Sequence, residues 1–355
     1  DNQGRSRCHY MGNHTVMTIS EDKNGNLWVG SFRNGLFRVN LQSGSEEWIS
    51  LSGSQRIGSI TFDNDGNLYT AVFGEGLGSY TPDGKTERIL GKANLKLFNT
   101  YLNKLFTDKE GRIWIGHYYG IDVYDPKTDQ LMDVNIPDAL RPAIVYTIVQ
   151  SPKDHSMWIG SNKGLFQYVM EGKEKGQWKR FTNKNGLTND VVCGLVVTDD
   201  GTLWASTYRG VTQIDSDGQL IRYYRGNGLE EWSYLRGVYT VTVSGIVIFG
   251  NQNGITYFNP RKMVKDTFDN KIMLTAMRLG NTNVNAMTLS NGRHIITKAL
   301  DESDEISVSY LDNTFSLRFS SMDFRDAQNV HYEFRFVGEP DDQWYQTESG
   351  RSEIF

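Results

Sequence analysis

The sequence predicts an all-β protein built from repeated four-stranded sheets, and three observations support this class. A segment with the pattern Leu-Trp-Val-Gly, followed closely by Gly-Leu, recurs six times with variations. Glycine is abundant, with 36 residues, and proline is scarce, with 7, which suits short strands joined by tight turns. Most copies also follow an apolar strand and a turn that contains glycine, as hairpins require.

The anchor position of the repeat sets its period. Successive anchors are separated by 41, 45, 44, 46 and 44 residues, and they are Trp28, Tyr69, Trp114, Trp158, Trp204 and Ile248. Self-similarity at about 40–45 residues, marked by aromatic residues and glycine, is typical of a β-propeller. We therefore predict that residues 1–260 form a propeller with six visible four-stranded blades, either a complete ring of six or part of a ring of seven.

Each repeat reads in the same order. An apolar strand such as 145–149 comes first, a turn such as 108–112 follows, then the strand with the Trp anchor, a third strand and a more polar fourth strand. The sixth repeat ends at Asn259-Pro260 without an obvious fourth strand, so that strand is either absent or supplied from elsewhere. The repeating Trp anchors are interpreted as core residues that pack the blades.

Two features that resemble chemical sites have structural interpretations. The turn at residues 63–67 resembles a fragment of a calcium loop, but it is too short and no Glu closes it. We interpret it as turn chemistry and predict no metal site. Cys193 lies in an apolar run and is interpreted as a buried thiol, and a bridge to Cys8 is left open.

The repeat stops after Pro260. Residues 261–271 are a polar linker, and the segments 272–279, 306–310, 314–320 and 330–336 then alternate apolar and polar residues. Such alternation is typical of half-buried strands. We predict that residues 272–355 form an immunoglobulin-like β-sandwich that is truncated.

Composition and motifs exclude several functions for this region. The net charge is −5 without a basic block, which disfavours nucleic acid as a partner. The sequence contains no run of 18 or more apolar residues that could span a membrane. The sequence lacks the common nucleophile, zinc-protease and phosphate-loop motifs, and its six histidines show no metal spacing. We predict no catalytic residue and no cofactor, although a facing pair of glycosidase carboxylates could not be recognised from sequence.

The predicted ligand site lies in two sets of loops that should emerge on one face of the propeller. The loops after the anchor strands include Phe32, Phe73 and Asn162, and the loops that lead into the first strands include Arg56, Asn99, Tyr101, Arg141, Tyr146 and Asn189. Aromatic rings with Arg and amide groups suit a polyhydroxylated, even anionic, ligand. The alternative is that these residues merely pack or face solvent. The predicted ligand-binding residues are Arg33, His117, Tyr118, Tyr119, Lys163, Tyr208, Arg209, Trp232, Tyr234 and Arg236.

The repeat resembles the two-component regulator propeller repeat. The segments 315–319 and 332–336, with Trp344, resemble the start of the Y_Y_Y (triple-tyrosine) sandwich domain, and the order of propeller and sandwich fits that family. Departures are that the second and sixth blades lack Trp and that the sandwich is incomplete.

This resemblance implies the periplasmic sensor of a Bacteroidetes-type hybrid two-component system. Such a sensor would bind a glycan-derived oligosaccharide and relay the signal through the sandwich to a transmembrane histidine kinase. It also implies a homodimer formed through the sandwich and the membrane region. The alternatives are a propeller enzyme, either a polysaccharide lyase or a glycosidase, and a protein-interaction propeller without a small ligand.

Overall fold

The computed structural model describes residues 14–49, 51, 53–82, 87–215, 218–224, 229, 233–263, 271–303, 305–312, 314–322, 332–335, 337, 344–347 and 353–354. The chain divides into two compact units, Asp1–Lys262 and Met263–Phe355. Cys8, Trp232 and residues 264–270 of the predicted linker lie outside the described residues.

The first unit contains five antiparallel sheets of four strands and a sixth sheet with three described strands, and in each sheet the strands are ordered as in the sequence. The first three blades comprise β1 Val16–Glu21, β2 Asn26–Ser31, β3 Leu36–Asn40, β4 Glu46–Ile49, β5 Ile57–Phe62, β6 Leu68–Val72, β7 Gly76–Tyr80, β8 Glu87–Leu90, β9 Leu102–Thr107, β10 Ile113–His117, β11 Gly120–Asp125 and β12 Gln130–Leu131. The last three comprise β13 Val145–Gln150, β14 Met157–Ser161, β15 Gly164–Tyr168, β16 Trp178–Phe181, β17 Val192–Val197, β18 Leu203–Thr207, β19 Gly210–Ile214, β20 Leu220–Tyr223, β21 Tyr234–Val241, β22 Val247–Asn251 and β23 Gly254–Phe258.

The first strands of the six sheets surround a common centre. Each first strand contacts the first strand of the next sheet, from β1 through β5, β9, β13 and β17 to β21. Across the centre, the Oγ1 of Thr147 on β13 donates a hydrogen bond to the phenol oxygen of Tyr239 on β21 at 2.8 Å. Sheets arranged in sequence order around a centre are the blades of a propeller, so the predicted all-β class and the predicted propeller are confirmed.

The glycine of each Trp-x-Gly strand lets the next blade approach. A Cβ on Gly30 would lie 2.6 Å from the Cγ2 of Ile57 on the second blade. A Cβ on Gly116 would lie 2.5 Å from the Cγ1 of Val145 on the fourth blade. Real Cβ atoms do not approach other carbons so closely, so the repeat needs glycine where a β-branched side chain of the next blade sits.

The aspartate turns hold the Trp anchors. The Oδ2 of Asp22 accepts a hydrogen bond from the Nε1 of Trp28 at 2.8 Å, and the Oδ2 of Asp108 accepts the same bond from Trp114 at 2.8 Å. The other oxygen of each carboxylate accepts backbone N–H groups of its own turn. The Oδ1 of Asp63 likewise accepts the backbone N–H groups of Asp65 and Asn67, so the interpretation of residues 63–67 as a turn is confirmed. The Trp anchors are buried, which confirms their interpretation as core residues. In the fifth blade a threonine replaces the aspartate, and the Nε1 of the buried Trp204 has no hydrogen-bond partner among the described residues.

The two terminal blades each leave one face uncovered. The residue after the loop glycine is 0 or 1 % exposed in blades one to five, whereas Ile255, its counterpart in the sixth blade, is 62 % exposed. In the first blade Val16 is 43 % and Ile19 is 60 % exposed, although their counterparts Val145 and Ile148 are buried.

The second unit contains a sheet with the order β25-β24-β28-β31 and two hairpins, β26-β27 and β29-β30. Its strands are β24 Met273–Leu279, β25 Thr282–Asn283, β26 Leu289–Ser290, β27 Arg293–His294, β28 Phe315–Ser320, β29 Glu333–Phe334, β30 Tyr345–Gln346 and β31 Glu353–Ile354. The predicted strands at 272–279 and 314–320 are confirmed. The predicted strand at 306–310 is wrong: the segment pairs with no strand of the described residues, and although Ile306 packs against the core of this unit, Tyr310 is 89 % exposed.

Helix is confined to three short 3₁₀ turns in the described ranges, at Asn183–Asn185, Pro260–Lys262 and Leu300–Glu302. No helix of the described chain is long and apolar enough to cross a membrane. Among the same residues, no group of three or more His, Cys, Asp or Glu side chains is placed to hold a metal ion.

Candidate ligand-binding face of the propeller

A repeated backbone hydrogen bond brings the two predicted sets of loops together. In five blades, the N–H of the residue after the anchor strand donates to the carbonyl of the residue before the first strand. The distances lie between 2.9 and 3.3 Å, and the pairs are Phe32 with Thr15, Phe73 with Arg56, Tyr118 with Tyr101, Asn162 with Ile144, and Tyr208 with Val191. Both loop sets therefore emerge on the same face of the propeller.

Arg56 lies between aromatic rings of two blades. Its guanidinium carbon is 3.8 Å from the ring centroid of Phe73 in its own blade and 4.6 Å from that of Phe32 in the first blade. Arg33 also approaches Phe32, at 5.6 Å. A guanidinium over a ring is attracted by the negative face of the π system, and the contact restricts its motion.

The second and third blades extend this cluster with edge-to-face rings. The centroid of Phe73 is 5.0 Å from that of Tyr101 and 6.2 Å from that of Tyr118. The two tyrosine rings are 6.2 Å apart. Tyr101 is 47 % and Tyr118 is 37 % exposed, so the cluster presents ring surface to solvent rather than forming a closed core.

A second cluster joins the fourth, fifth and sixth blades. The guanidinium of Arg236 lies 4.5 Å from the ring centroid of Tyr146 and 5.3 Å from that of Tyr208. Burial raises the pKa of Tyr146, while the charge of Arg236 opposes this and nearby Tyr208 and Tyr118 add to it. Both clusters contain residues of the loops joined by the repeated hydrogen bond, so they lie on the same face of the propeller. We call the combined surface the arginine–aromatic face, and its members are Phe32, Arg56, Phe73, Tyr101, Tyr118, Tyr146, Tyr208 and Arg236.

The centre of the propeller beneath this face also carries positive charge. The Nζ of Lys104 on β9 lies 5.4 Å from the ring of Tyr239 on β21, so this contact spans from the third blade to the sixth. Cys193, on β17, is fully buried, and burial raises the pKa of its thiol to about 12. Its predicted role as a buried core thiol is confirmed.

Most of the predicted ligand-binding side chains are exposed on this side of the propeller. The exposed ones are Arg33, Tyr118, Tyr119, Lys163, Tyr208, Arg209 and Arg236. A depression of about 510 Å³ is lined by Thr15, Phe32, Arg33 and Asn34. Trp232 lies outside the described residues, so its predicted role remains a prediction.

The prediction for His117 is wrong as regards a ligand contact. His117 is the last residue of β10 and is fully buried. Its Nδ1 accepts the backbone N–H of Tyr119 at 3.1 Å, which places the ring proton on Nε2. That Nε2 lies 3.5 Å from the Oδ2 of Asp122 and has no hydrogen-bond partner among the described residues. His117 therefore supports the Tyr118–Tyr119 loop from below.

The prediction for Tyr234 is also wrong. Tyr234 is 1 % exposed, its ring packs 5.8 Å from that of Phe249, and its hydroxyl donates to the Oγ1 of Thr256 at 3.3 Å. It opens β21 at the register position that Val145 and Val192 occupy in earlier blades, and both of those residues are buried. Tyr234 is therefore a core residue of the sixth blade.

Five members of the arginine–aromatic face were in the predicted loop sets but not among the predicted ligand-binding residues: Phe32, Arg56, Phe73, Tyr101 and Tyr146. Four of them occupy the two positions joined by the repeated hydrogen bond, directly after the anchor strand or directly before the first strand. That position in the repeat is a signal from which the sequence could have identified them.

Comparison with known proteins agrees with the repeat and the fold. A family model described as "Two component regulator propeller" matches residues 10–33, which include the first anchor strand. A histidine kinase P4 of Formosa agariphila is 22 % identical over 329 residues, covering 88 % of this chain and 24 % of the kinase. The chain thus spans about a quarter of the length of that relative.

Two solved structures show the same architecture. The extracellular domain of a hybrid two component system from B. thetaiotaomicron matches 99 % of this chain and 47 % of its own, with 21 % identity and a TM-score of 0.66. A virginiamycin B lyase from Staphylococcus aureus matches 70 % of this chain and 81 % of its own, with 13 % identity and a TM-score of 0.57. At these identities the structures establish the propeller fold and nothing further.

The fold is a β-propeller, and its first repeat matches the two component regulator propeller model. The matched repeat and the aligned histidine kinase confirm the resemblance to two-component regulator proteins, and the matched hybrid-system domain has the same fold.

Proposed function

We propose that this chain is the ligand-sensing region of a hybrid two-component sensor. Two findings support this role: the first repeat matches the regulator propeller family, and the histidine kinase relative aligns with most of the chain. In this proposal the chain lies in the periplasm, and the kinase activity belongs to a part of the full-length protein outside these residues.

The observation that carries the proposal is the arginine–aromatic face. All six blades contribute to it, with six rings and two guanidinium groups, so a ligand there would contact every blade. Exposed rings can cover the apolar faces of sugar rings, while planar nitrogen donors hold hydroxyl groups. A glycan-derived oligosaccharide has the size and chemistry to use both kinds of contact.

Signal transmission requires that the ligand prefer one arrangement of the protein over another. We propose that binding at the propeller favours one packing of paired second units, in a homodimer that continues through the membrane region. The kinase would then respond to the shift in that equilibrium. Measuring the dimerisation constant of the full-length protein with and without ligand tests this step, and identical constants would contradict it.

The binding step is tested by calorimetry of this chain against plant and host oligosaccharides, with chromatographic analysis of each mixture. We expect saturable binding of one class without turnover. Changing Tyr208 to Ala should weaken it at least tenfold because a stacking ring is lost. Changing Tyr257 to Ala is the matched control, since Tyr257 is 68 % exposed on the third strand of the sixth blade, away from this face.

The same experiment separates the two alternatives. Product formation that is lost on changing a single carboxylate would establish a lyase or glycosidase and contradict the sensor. No binding of any oligosaccharide would contradict the proposed glycan ligand and favour a propeller that binds only proteins.

A further inference from the structure

Within the described residues, the two guanidinium groups of the arginine–aromatic face have no carboxylate partner. In the described part of the chain, neither Arg56 nor Arg236 forms an ion pair or donates a hydrogen bond from its guanidinium. Their described contacts are with ring faces, at 3.8 to 5.3 Å. By contrast, Arg88 on β8 makes two bonds to the carboxylate of Asp129, at 3.0 and 2.8 Å.

Two described acidic groups near this face have other partners. Asp122 accepts the backbone N–H of Phe98 at 2.9 Å, and Glu75 accepts the backbone N–H of Ser54. The protein as a whole has a net charge of −5, so an unneutralised group of cations at the centre differs from the rest of the molecule. Lys104 adds a further positive charge nearer the centre.

Stacking prepares an arginine for a bidentate acceptor. A ring under the guanidinium plane fixes its orientation and leaves the N–H edge free, and this edge matches the two oxygens of a carboxylate or sulfate. A neutral hydroxyl group offers one oxygen and no charge, so it would use such an arginine poorly. Two stacked arginines in different blades of one face, Arg56 in the second blade and Arg236 in the sixth, therefore favour a ligand with more than one acidic group.

We propose that the arginine–aromatic face selects an acidic oligosaccharide, with carboxylate or sulfate groups bound by Arg56 and Arg236 and sugar rings stacked on the tyrosines between them. This inference rests on the proposed function, because it specifies the ligand class of the same site. The arginines select acidic over neutral sugars through the charge of the sugar. Stacking on the tyrosine rings contributes affinity for acidic and neutral sugars alike.

Calorimetry on this chain tests the proposal with three probes of similar length. These are an oligogalacturonide, which carries carboxylates, a sulfated galactan oligosaccharide and a neutral galacto-oligosaccharide. We expect one acidic probe to bind at least tenfold more tightly than the neutral one, and raising NaCl from about 50 to 500 mM should weaken only acidic binding. The two acidic probes distinguish carboxylate from sulfate as the recognised group.

The variants R236Q and R56Q should each weaken acidic binding about tenfold or more and leave neutral binding unchanged. The variant R236K keeps the charge but loses the fork, so it should recover only part of the affinity. The variant R88Q is the matched control, since Arg88 is paired with Asp129, and should bind like the parent chain. Because Arg236 is exposed, R236Q should keep the melting temperature of the parent chain, which separates loss of binding from loss of folding.

Equal affinity for acidic and neutral probes, or unchanged acidic binding in R236Q and R56Q, overturns the acidic selectivity and leaves the oligosaccharide proposal standing. Failure of all three probes to bind overturns the proposed function itself.

Discussion

The bond between the turn aspartate and the Trp anchor should contribute measurably to stability, and Asp108→Ala tests it. Asp108 is 2 % exposed and Trp114 is fully buried. The Oδ2 of Asp108 accepts the Nε1 of Trp114 at 2.8 Å and the Nε of Arg112 at 2.6 Å. Its Oδ1 accepts the backbone N–H groups of Glu110 and Arg112, at 3.1 and 2.9 Å. Alanine removes all four acceptor contacts.

The size of the stability loss depends on whether water can replace Asp108 as the acceptor for each donor. The indole N–H of Trp114 is buried, and leaving such a donor unsatisfied costs about 1–3 kcal/mol. Loss of the turn bonds and of the partner of Arg112 adds about 1 kcal/mol. We expect a loss of about 3 kcal/mol, which for a unit of this size lowers the melting temperature by roughly 6–12 °C.

Urea and thermal unfolding of the two chains, followed by tryptophan fluorescence, measure this loss. Asp125→Ala is the matched control, because Asp125 also accepts a backbone N–H of its turn but holds no Trp. The control should lose less than about 1 kcal/mol. If Asp108→Ala were no less stable than Asp125→Ala, the assigned role of the aspartate–tryptophan bond would be refuted.

Three further predictions concern the same blades. The double change Thr198→Asp with Asp200→Asn rebuilds the turn of the first blade in the fifth. It should raise the unfolding free energy by about 1 kcal/mol, because the indole N–H of Trp204, which lacks a partner among the described residues, gains an acceptor. A lower unfolding free energy, measured by urea denaturation, would contradict this. Leu165→Ala should cost about 2–4 kcal/mol because Leu165 is fully buried, whereas Ile255→Ala should cost less than about 0.5 kcal/mol, and equal losses would contradict the exposed face of the sixth blade. Burial alone would raise the pKa of Asp22, but hydrogen bonds to its carboxylate outweigh burial and lower it. Since a lowered pKa stabilises the fold above the unfolded value of about 3.9, the stability advantage of the parent chain over Asp22→Asn should shrink as pH falls below about 4 in acid titrations; a constant advantage would contradict this.

The propeller was predictable because the same packing requirements return from blade to blade. A Trp or Tyr anchor is buried in each of the first five blades, and in the first, third and fourth a glycine two residues later admits the first strand of the next blade. Both requirements leave marks at fixed spacing in the sequence. Residues 306–310 also alternate apolar and polar side chains, yet Tyr310 is exposed and the segment pairs with no strand of the described residues. Alternation is thus evidence for a strand only where the fold supplies a partner.

The candidate site was predictable as a face but not residue by residue. His117 and Tyr234 lie at strand ends, where a shift of the strand boundary by one residue decides whether a side chain faces the loop or the core. Sequence alone does not give that displacement for a single repeat. The stacking of Arg56 on Phe32 and of Arg236 on Tyr146 joins different blades, so it depends on how the blades are arranged around the centre. These pairs became visible only in the structure.

The most direct test of glycan sensing by this face is calorimetric titration of residues 1–355 with oligosaccharides, combined with product analysis. We expect saturable binding without turnover, weakened by Tyr208→Ala and unaffected by Tyr257→Ala. Three results would contradict the claim that the arginine–aromatic face senses a glycan. They are binding that Tyr208→Ala leaves unchanged, turnover of the sugar, and no binding to any oligosaccharide.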